Sequence, residues 1–186
     1  MKDSRSQTRL KQIILAALFA AMTTVLTFYI KIPMHNGYLH LGDSMIYLAA
    51  IFLPTPLAMI SAGIGGMLAD AIGGYTMYML PTFIIKALLV LPFSNKCYKL
   101  LTKRNILALV VASLITTFGY YIAEVVLVSL SATNGFSHFC EYMFSSVAWA
   151  SALYCIPGNI MQAVGSAVVF VFLAVALDKI KIKDRI

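Results

Sequence analysis

The sequence predicts an all-α, polytopic membrane protein, six helices in one compact bundle with both termini cytoplasmic, on three observations. Hydrophobic residues make up 61% of the 186 positions and charged residues 11%, with a mean hydropathy of +0.88, far outside the range of soluble domains. All Lys and Arg except Lys31 and Lys86 fall in three clusters that flank apolar segments: Lys2, Arg5, Arg9 and Lys11; Lys96, Lys99, Lys103 and Arg104; and Lys179, Lys181, Lys183 and Arg185. Such clusters mark cytoplasmic ends, so the net charge of +7 reports topology and not a nucleic-acid partner. Finally, Pro54-Thr55-Pro56 divides a long apolar run, because two prolines there cannot continue a helix without losing backbone bonds and clashing with the preceding turn. Only with that split do the first two basic clusters fall on the same side.

The first span is 10–30, long enough at 1.5 Å per residue to cross a ~30 Å hydrocarbon core. Segments of similar quality recur to the C-terminus, so it reads as a span and not as a cleaved secretory signal. Residues 31–41, with Pro33 and Asn36-Gly37 as turn chemistry, form an external loop. The second span, 43–53, is only about 16 Å of helix, half a bilayer. Its proline loop therefore lies below the inner surface and needs protein cover, which points to a partner. The third, 57–73, ends at Gly73-Gly74-Tyr75, where Gly supplies the positive φ of a C-cap. The fourth, 81–100, has Pro81 in its first turn, where the missing donor costs nothing. The fifth is 106–130. Residues 131–146, with Asn134-Gly135, His138 and Glu141, make the longest external loop. The sixth, 147–177, carries Pro157-Gly158 as a kink or unwound turn. Residues 1–186 are expected to form a single membrane domain.

Depth along these spans separates polar from apolar. Asp43 opens the second span, Asp70 lies just below the outer end of the third, and Lys86 is about one and a half turns into the fourth. Tyr120, Tyr121 and Glu124 sit in the outer half of the fifth, and Asn159 and Gln162 a few turns into the sixth. The inner half is expected to be apolar. Ionisable groups at such depth usually face a bundle interior or a water-filled site, which suggests an outward-facing polar cavity. Pairing of Asp70, Lys86 and Glu124 with one another, merely to lock the bundle, is the alternative.

Tyr120 and Glu124 are spaced i, i+4 and Asn159 and Gln162 i, i+3, so each pair shares a helix face. Together with Lys86 they would read donors and acceptors on a small heteroaromatic ring, with Tyr78, Tyr120 and Trp149 stacking on it. Tyr75, Tyr78 and Trp149 equally suit an interfacial belt. His40 abuts the site, whereas His35 and His138 are loop histidines without metal spacing. Cys97, Cys140 and Cys155 show neither CxxC nor zinc-type spacing and imply no disulfide framework.

Ala16, Ala17, Ala20 and Ala21 form a flat strip on which another helix can approach closely. That helix could belong to a partner, or be the third span with its Gly63, Gly65 and Gly66. No Ser/His/Asp or Cys/His set, HExxH or P-loop appears, so no enzyme, cofactor or metal site is expected. Uphill movement of a solute would draw its energy from a partner or from an ion gradient.

Taken together, the Ala-xxx-Ala steps, Leu41-Gly42-Asp43, Leu68-Ala69-Asp70 ahead of Gly74-Tyr75, Thr82-Phe83-Ile84-Ile85-Lys86 and Pro157-Gly158-Asn159-Ile160-Met161-Gln162 resemble, in this order, the substrate-binding (S) components of energy-coupling-factor (ECF) vitamin transporters. The nearest branch is that for riboflavin and hydroxymethylpyrimidine. The resemblance implies a multi-pass subunit of the bacterial plasma membrane that captures a vitamin or precursor from outside. It would deliver it by toppling within a complex of a transmembrane coupling (T) subunit and two ATPases. It also implies that the alanine strip meets the T subunit, that residues 31–42 close over the ligand, and that Lys86, Tyr120, Glu124, Asn159 and Gln162 supply most contacts. The competing reading is a self-sufficient ion-coupled carrier or channel with Asp70, Lys86 and Glu124 as a proton relay. Such carriers usually show two related halves, and none is visible here.

Overall fold

The computed structural model describes residues 2–33, 38–132 and 136–184. Its elements in chain order are α1 (Lys2–Tyr29), the antiparallel hairpin of β1 (Lys31–Pro33) and β2 (Tyr38–His40), α2 (Asp43–Phe52), α3 (Thr55–Gly73), a 3-10 turn at Thr76–Tyr78, α4 (Met79–Leu88), α5 (Lys103–Ala132), α6 (Phe136–Met143), α7 (Ser146–Ala152), α8 (Cys155–Lys179) and a last 3-10 turn at Ile182–Asp184. Four stretches are long and apolar enough to cross a membrane: Gln7–Tyr29, Thr55–Gly73, Lys103–Ala132 and Ser146–Lys179. Asp43–Phe52 and Thr76–Leu88 are shorter apolar helices. The protein is helical and membrane-integral.

The bundle is built round α2. Asp43 through Ile51 are all buried, and α1, α3 and α8 pack against them. Tyr47 anchors the centre, stacked on Phe93 at 5.1 Å and edge-on to Phe170 at 5.9 Å. Prolines set the boundary after α2: Leu53 turns extended, Pro54 caps α3 and Pro56 lies in its first turn, where a missing N–H costs no bond. At the far end Gly74 takes φ +80, and the Tyr75 amide donates to the Asp70 carbonyl at 2.9 Å, closing α3 as a left-handed cap.

Several boundaries differ from the sequence reading. The fourth helix does not run over 81–100: α4 ends at Leu88, and 89–102 are turns and bends. Pro92 explains this, since it has no N–H and disfavours helical backbone at the residue before it. The sixth segment breaks at Leu153–Tyr154 and not at Pro157-Gly158, which lie in the first turn of α8. The two loops expected to be external hold structure of their own, the β1/β2 hairpin, paired Lys31 with His40, and α6. The turn residues Asn36-Gly37 and Asn134-Gly135, like His35, fall outside the described residues.

The end of the bundle opposite the α3 cap is not purely apolar. Fully buried Asn105 accepts from the Ser94 amide at 2.9 Å and donates to the carbonyls of Leu100 at 2.9 Å and Ser94 at 3.3 Å. The Asp178 carboxylate accepts from the amides of Leu100 and Leu101 at 2.9 and 3.1 Å. Lys183 donates to the carbonyls of Cys97 and Asn95 at 2.7 and 3.2 Å, and burial lowers its ammonium below the ordinary lysine range. Side chains thus satisfy the backbone that α4 leaves unpaired when it stops early. Asn95 also donates to the Leu53 carbonyl at 2.9 Å, so part of the cover expected from a partner at the proline loop comes from this chain, while Thr55 and Pro56 stay exposed.

Candidate functional site

Two short helices deliver opposite charges to one point. Asp43 is in the first turn of α2 and Lys86 in the last turn of α4, each at the helix end whose dipole favours its sign. Lys86 Nζ donates to Asp43 Oδ1 at 2.6 Å, with the two side chains 1% and 0% exposed. Gln162 of α8 donates to the other oxygen, Asp43 Oδ2, at 3.1 Å. Gly66 of α3 makes the approach possible, because a Cβ there would lie 2.9 Å from Lys86 Cγ and 2.8 Å from Thr82 Cγ2. Lys86 Nζ also stands 5.2 Å from the centre of the Tyr120 ring, a cation–π distance.

Above this pair lies a cavity of about 70 Å³. Thr27 and His40 wall one side, Gly66, Asp70, Tyr75 and Tyr78 another, Thr82 and Lys86 a third, and Tyr120, Glu124, Cys155 and Asn159 the last. Its polar groups are held in place by one another. Tyr120 donates to Thr82 Oγ1 at 3.2 Å. Both Glu124 oxygens accept from tyrosines, Tyr78 at 2.6 Å and Tyr154 at 2.8 Å. The Tyr75 and Tyr78 rings meet edge to face at 6.4 Å.

His40 joins the hairpin to this wall. Its Nδ1 accepts the Gly42 amide at 3.1 Å and lies 3.4 Å from Thr27 Oγ1. A backbone N–H can only donate, so Nδ1 carries no proton and the ring is the neutral Nε2–H tautomer. Burial, helped by the nearby Lys86 charge, pushes the imidazole down to about 3, in keeping with that tautomer. Gly42 has to be glycine, because a Cβ would fall on Thr27 Oγ1 and 3.0 Å from the Thr23 carbonyl.

Of the residues singled out from the sequence, His40, Tyr78, Lys86, Tyr120, Glu124 and Asn159 line the cavity. Gln162 does not; it stands behind the lining, on Asp43. Trp149 is also elsewhere, 40% exposed, donating to the Met143 carbonyl and set edge-on to Tyr121. The partner of Lys86 is Asp43 and not Asp70 or Glu124. Thr27, Thr82 and Cys155 were not anticipated. Thr82 had a signal, four residues before Lys86 on the same helical face; a threonine in an apolar helix, such as Thr27, has none.

The alanine strip divides. Ala16 and Ala20 are buried against α3, where Ser61 donates to the Ala16 carbonyl at 2.7 Å and a Cβ on Gly65 would come 2.8 Å from the Ala20 carbonyl. Gly63 and Gly66 face α4 instead, against Phe83 and Lys86. Ala17 and Ala21 are exposed.

The family model described as ECF-type riboflavin transporter, S component, matches residues 7–179. The chain belongs to that family. An S component is the substrate-binding membrane subunit of such a transporter. This S component is similar in fold to the solved structure of the S component of a bacterial ECF transporter, with a TM-score of 0.68 and 24% identity over 92% of this chain and 98% of that one. It is also 39% identical over 67 residues to an uncharacterised protein in a gap 3′ region of Pyrococcus woesei, a match taking in 36% of this chain and 45% of that relative. The S component therefore spans under half the length of the curated relative it matches.

Proposed function

We propose that this S component captures a small heteroaromatic vitamin or precursor from outside the cell, of hydroxymethylpyrimidine or pyridoxine size, with riboflavin the next candidate. Delivery would require a T subunit and two ATPases. The observation that carries this reading is the cavity itself. Its lining brings aromatic rings and a few polar groups from several helices to one point, the make-up of small-molecule sites. With Lys86 held by Asp43 and Glu124 held by Tyr78 and Tyr154, the rest of the lining is rings, hydroxyls, the Asp70 carboxylate and the Asn159 amide, which suits a flat heterocycle with exocyclic hydroxyl or amino groups.

In this reading the four long and two short apolar helices make six spans of one domain in the plasma membrane, with both termini cytoplasmic, as the three basic clusters support. His40 and its hairpin would close over the ligand. The exposed Ala17 and Ala21 would meet the T subunit, with Ala16 and Ala20 supporting that face from inside the bundle. Isothermal titration of the purified protein with hydroxymethylpyrimidine, pyridoxine and riboflavin tests the proposal. Submicromolar binding of one of them is expected, and micromolar or weaker binding of all three would overturn the ligand class.

A further inference from the structure

We propose that the groove between α5 and α8 is a binding site for an anionic phospholipid of the inner leaflet, one acyl chain lying along the groove and the phosphate resting on Lys103 and Lys179. Leu109, Val110 and Leu114 form one wall and Val164, Val168 and Phe172 the other. At the groove's end the walls turn basic. On α5, Val110, Ile106 and Lys103 follow one another at i, i−4 and i−7; on α8, Phe172, Val175 and Lys179 do so at i, i+3 and i+7. Each trio stays on one helical face. Arg104, one residue on from Lys103, is turned off it by about 100°.

The clasp at this end brings the two lysines together. Asp178 holds the amides of Leu100 and Leu101, and Lys183 holds the carbonyls of Asn95 and Cys97. Basic clusters far apart in sequence thereby share one rim. Asp178 is committed to those amides, and the exposed Lys96, Lys99, Lys103, Arg104, Lys179 and Lys181 form no ion pair among the described residues. An apolar groove that opens onto unneutralised lysines at the cytoplasmic side is the arrangement that takes an anionic headgroup. The length also fits. A chain reaching the bilayer midplane, roughly 15 Å below the headgroup, would end beside Val168, about 16 Å along the helix from Lys179. The inference rests on the cytoplasmic placement of the basic clusters proposed above.

Native mass spectrometry of the purified protein, titrated with dioleoyl phosphatidylglycerol or dioleoyl phosphatidylcholine, tests it. Two lysines near the surface, each contributing ~1 kcal/mol, give about a thirtyfold preference for phosphatidylglycerol. Lys103→Gln with Lys179→Gln should abolish the preference, Lys96→Gln with Lys99→Gln should keep it, and Val171→Trp, which fills the groove, should weaken binding of the lipid. The proposal fails if the wild type shows no preference, or if both lysine pairs matter equally. It fails too if Val171→Trp leaves phosphatidylglycerol binding unchanged, including the case in which that variant instead blocks assembly with the T subunit. Vitamin titration of the same preparations reports separately on the substrate site.

Discussion

Lys86→Met is the most informative single change. Met keeps most of the apolar stem that passes Gly66 but removes the ammonium 2.6 Å from Asp43. Asp43 is then a fully buried carboxylate whose remaining side-chain donor among the described residues is the Gln162 amide at 3.1 Å. Breaking a buried pair from one side costs about 3–5 kcal/mol. For a chain of this length each kcal/mol moves the melting temperature by roughly 2–4 °C, so the variant should melt roughly 6–20 °C below wild type. Adding Asp43→Asn removes the stranded charge and retains an acceptor for Gln162. The double variant should recover most of the loss and end within about 1–2 kcal/mol of wild type, since apolar or neutral replacements of a buried pair are often close to neutral. Thermal melts in detergent followed by intrinsic fluorescence, arranged as a double-mutant cycle, read the coupling directly. A drop of under about 2 °C in Lys86→Met, or losses that simply add in the double variant, would refute the view that this pair holds the centre of the bundle.

Glu124→Gln should weaken binding of the cognate vitamin about ten- to a hundredfold by unseating Tyr78 and Tyr154, and Asn159→Ala by a similar factor, each the loss of a polar partner of the ligand worth about 1–3 kcal/mol; calorimetric titration checks both, and unchanged affinity in the two would mean the wrong pocket. Ala17→Trp should abolish uptake by cells while leaving binding by the purified protein nearly intact, whereas Ala20→Trp should lower the melting temperature because it collides with α3; equal behaviour of the two would sink the division of the strip. Single cysteines at the exposed Lys99 and Lys181 should react only with reagents that enter the cell, and one at the exposed Ser131 with reagents that do not; labelling Lys99 and Lys181 from opposite sides would end the six-span model.

Hydropathy and charge clustering made the apolar segments legible, and proline and glycine chemistry located the α2/α3 break and the Gly74 cap. These are local signals, read within a few residues. The early end of α4 was harder, because the composition of 81–100 stays apolar and the groups that rescue its backbone, Asn105, Asp178 and Lys183, come from other parts of the chain. The site shows the same limit. Lys86 and Glu124 stood out as charges in apolar helices, but the partner of Lys86 is 43 residues away and that of Gln162 is 119 away. Helical spacing put Asn159 and Gln162 on one face, yet one lines the cavity and the other holds Asp43. Only the packing of α2 between α1, α3 and α8 decides which.

The separation of Asp43 from Lys86 also bears on how the chain enters the membrane. During synthesis α2 emerges with ten residues of helix and an acidic group, long before an ammonium is available to it. An aspartate at the centre of a membrane helix carries a penalty of about 2.5–3.5 kcal/mol on insertion scales, and so short a helix has little apolar length to offset even part of it. We expect α2 to wait at the interface until α4 arrives with Lys86, so that α2, α3 and α4 are integrated together and not one by one.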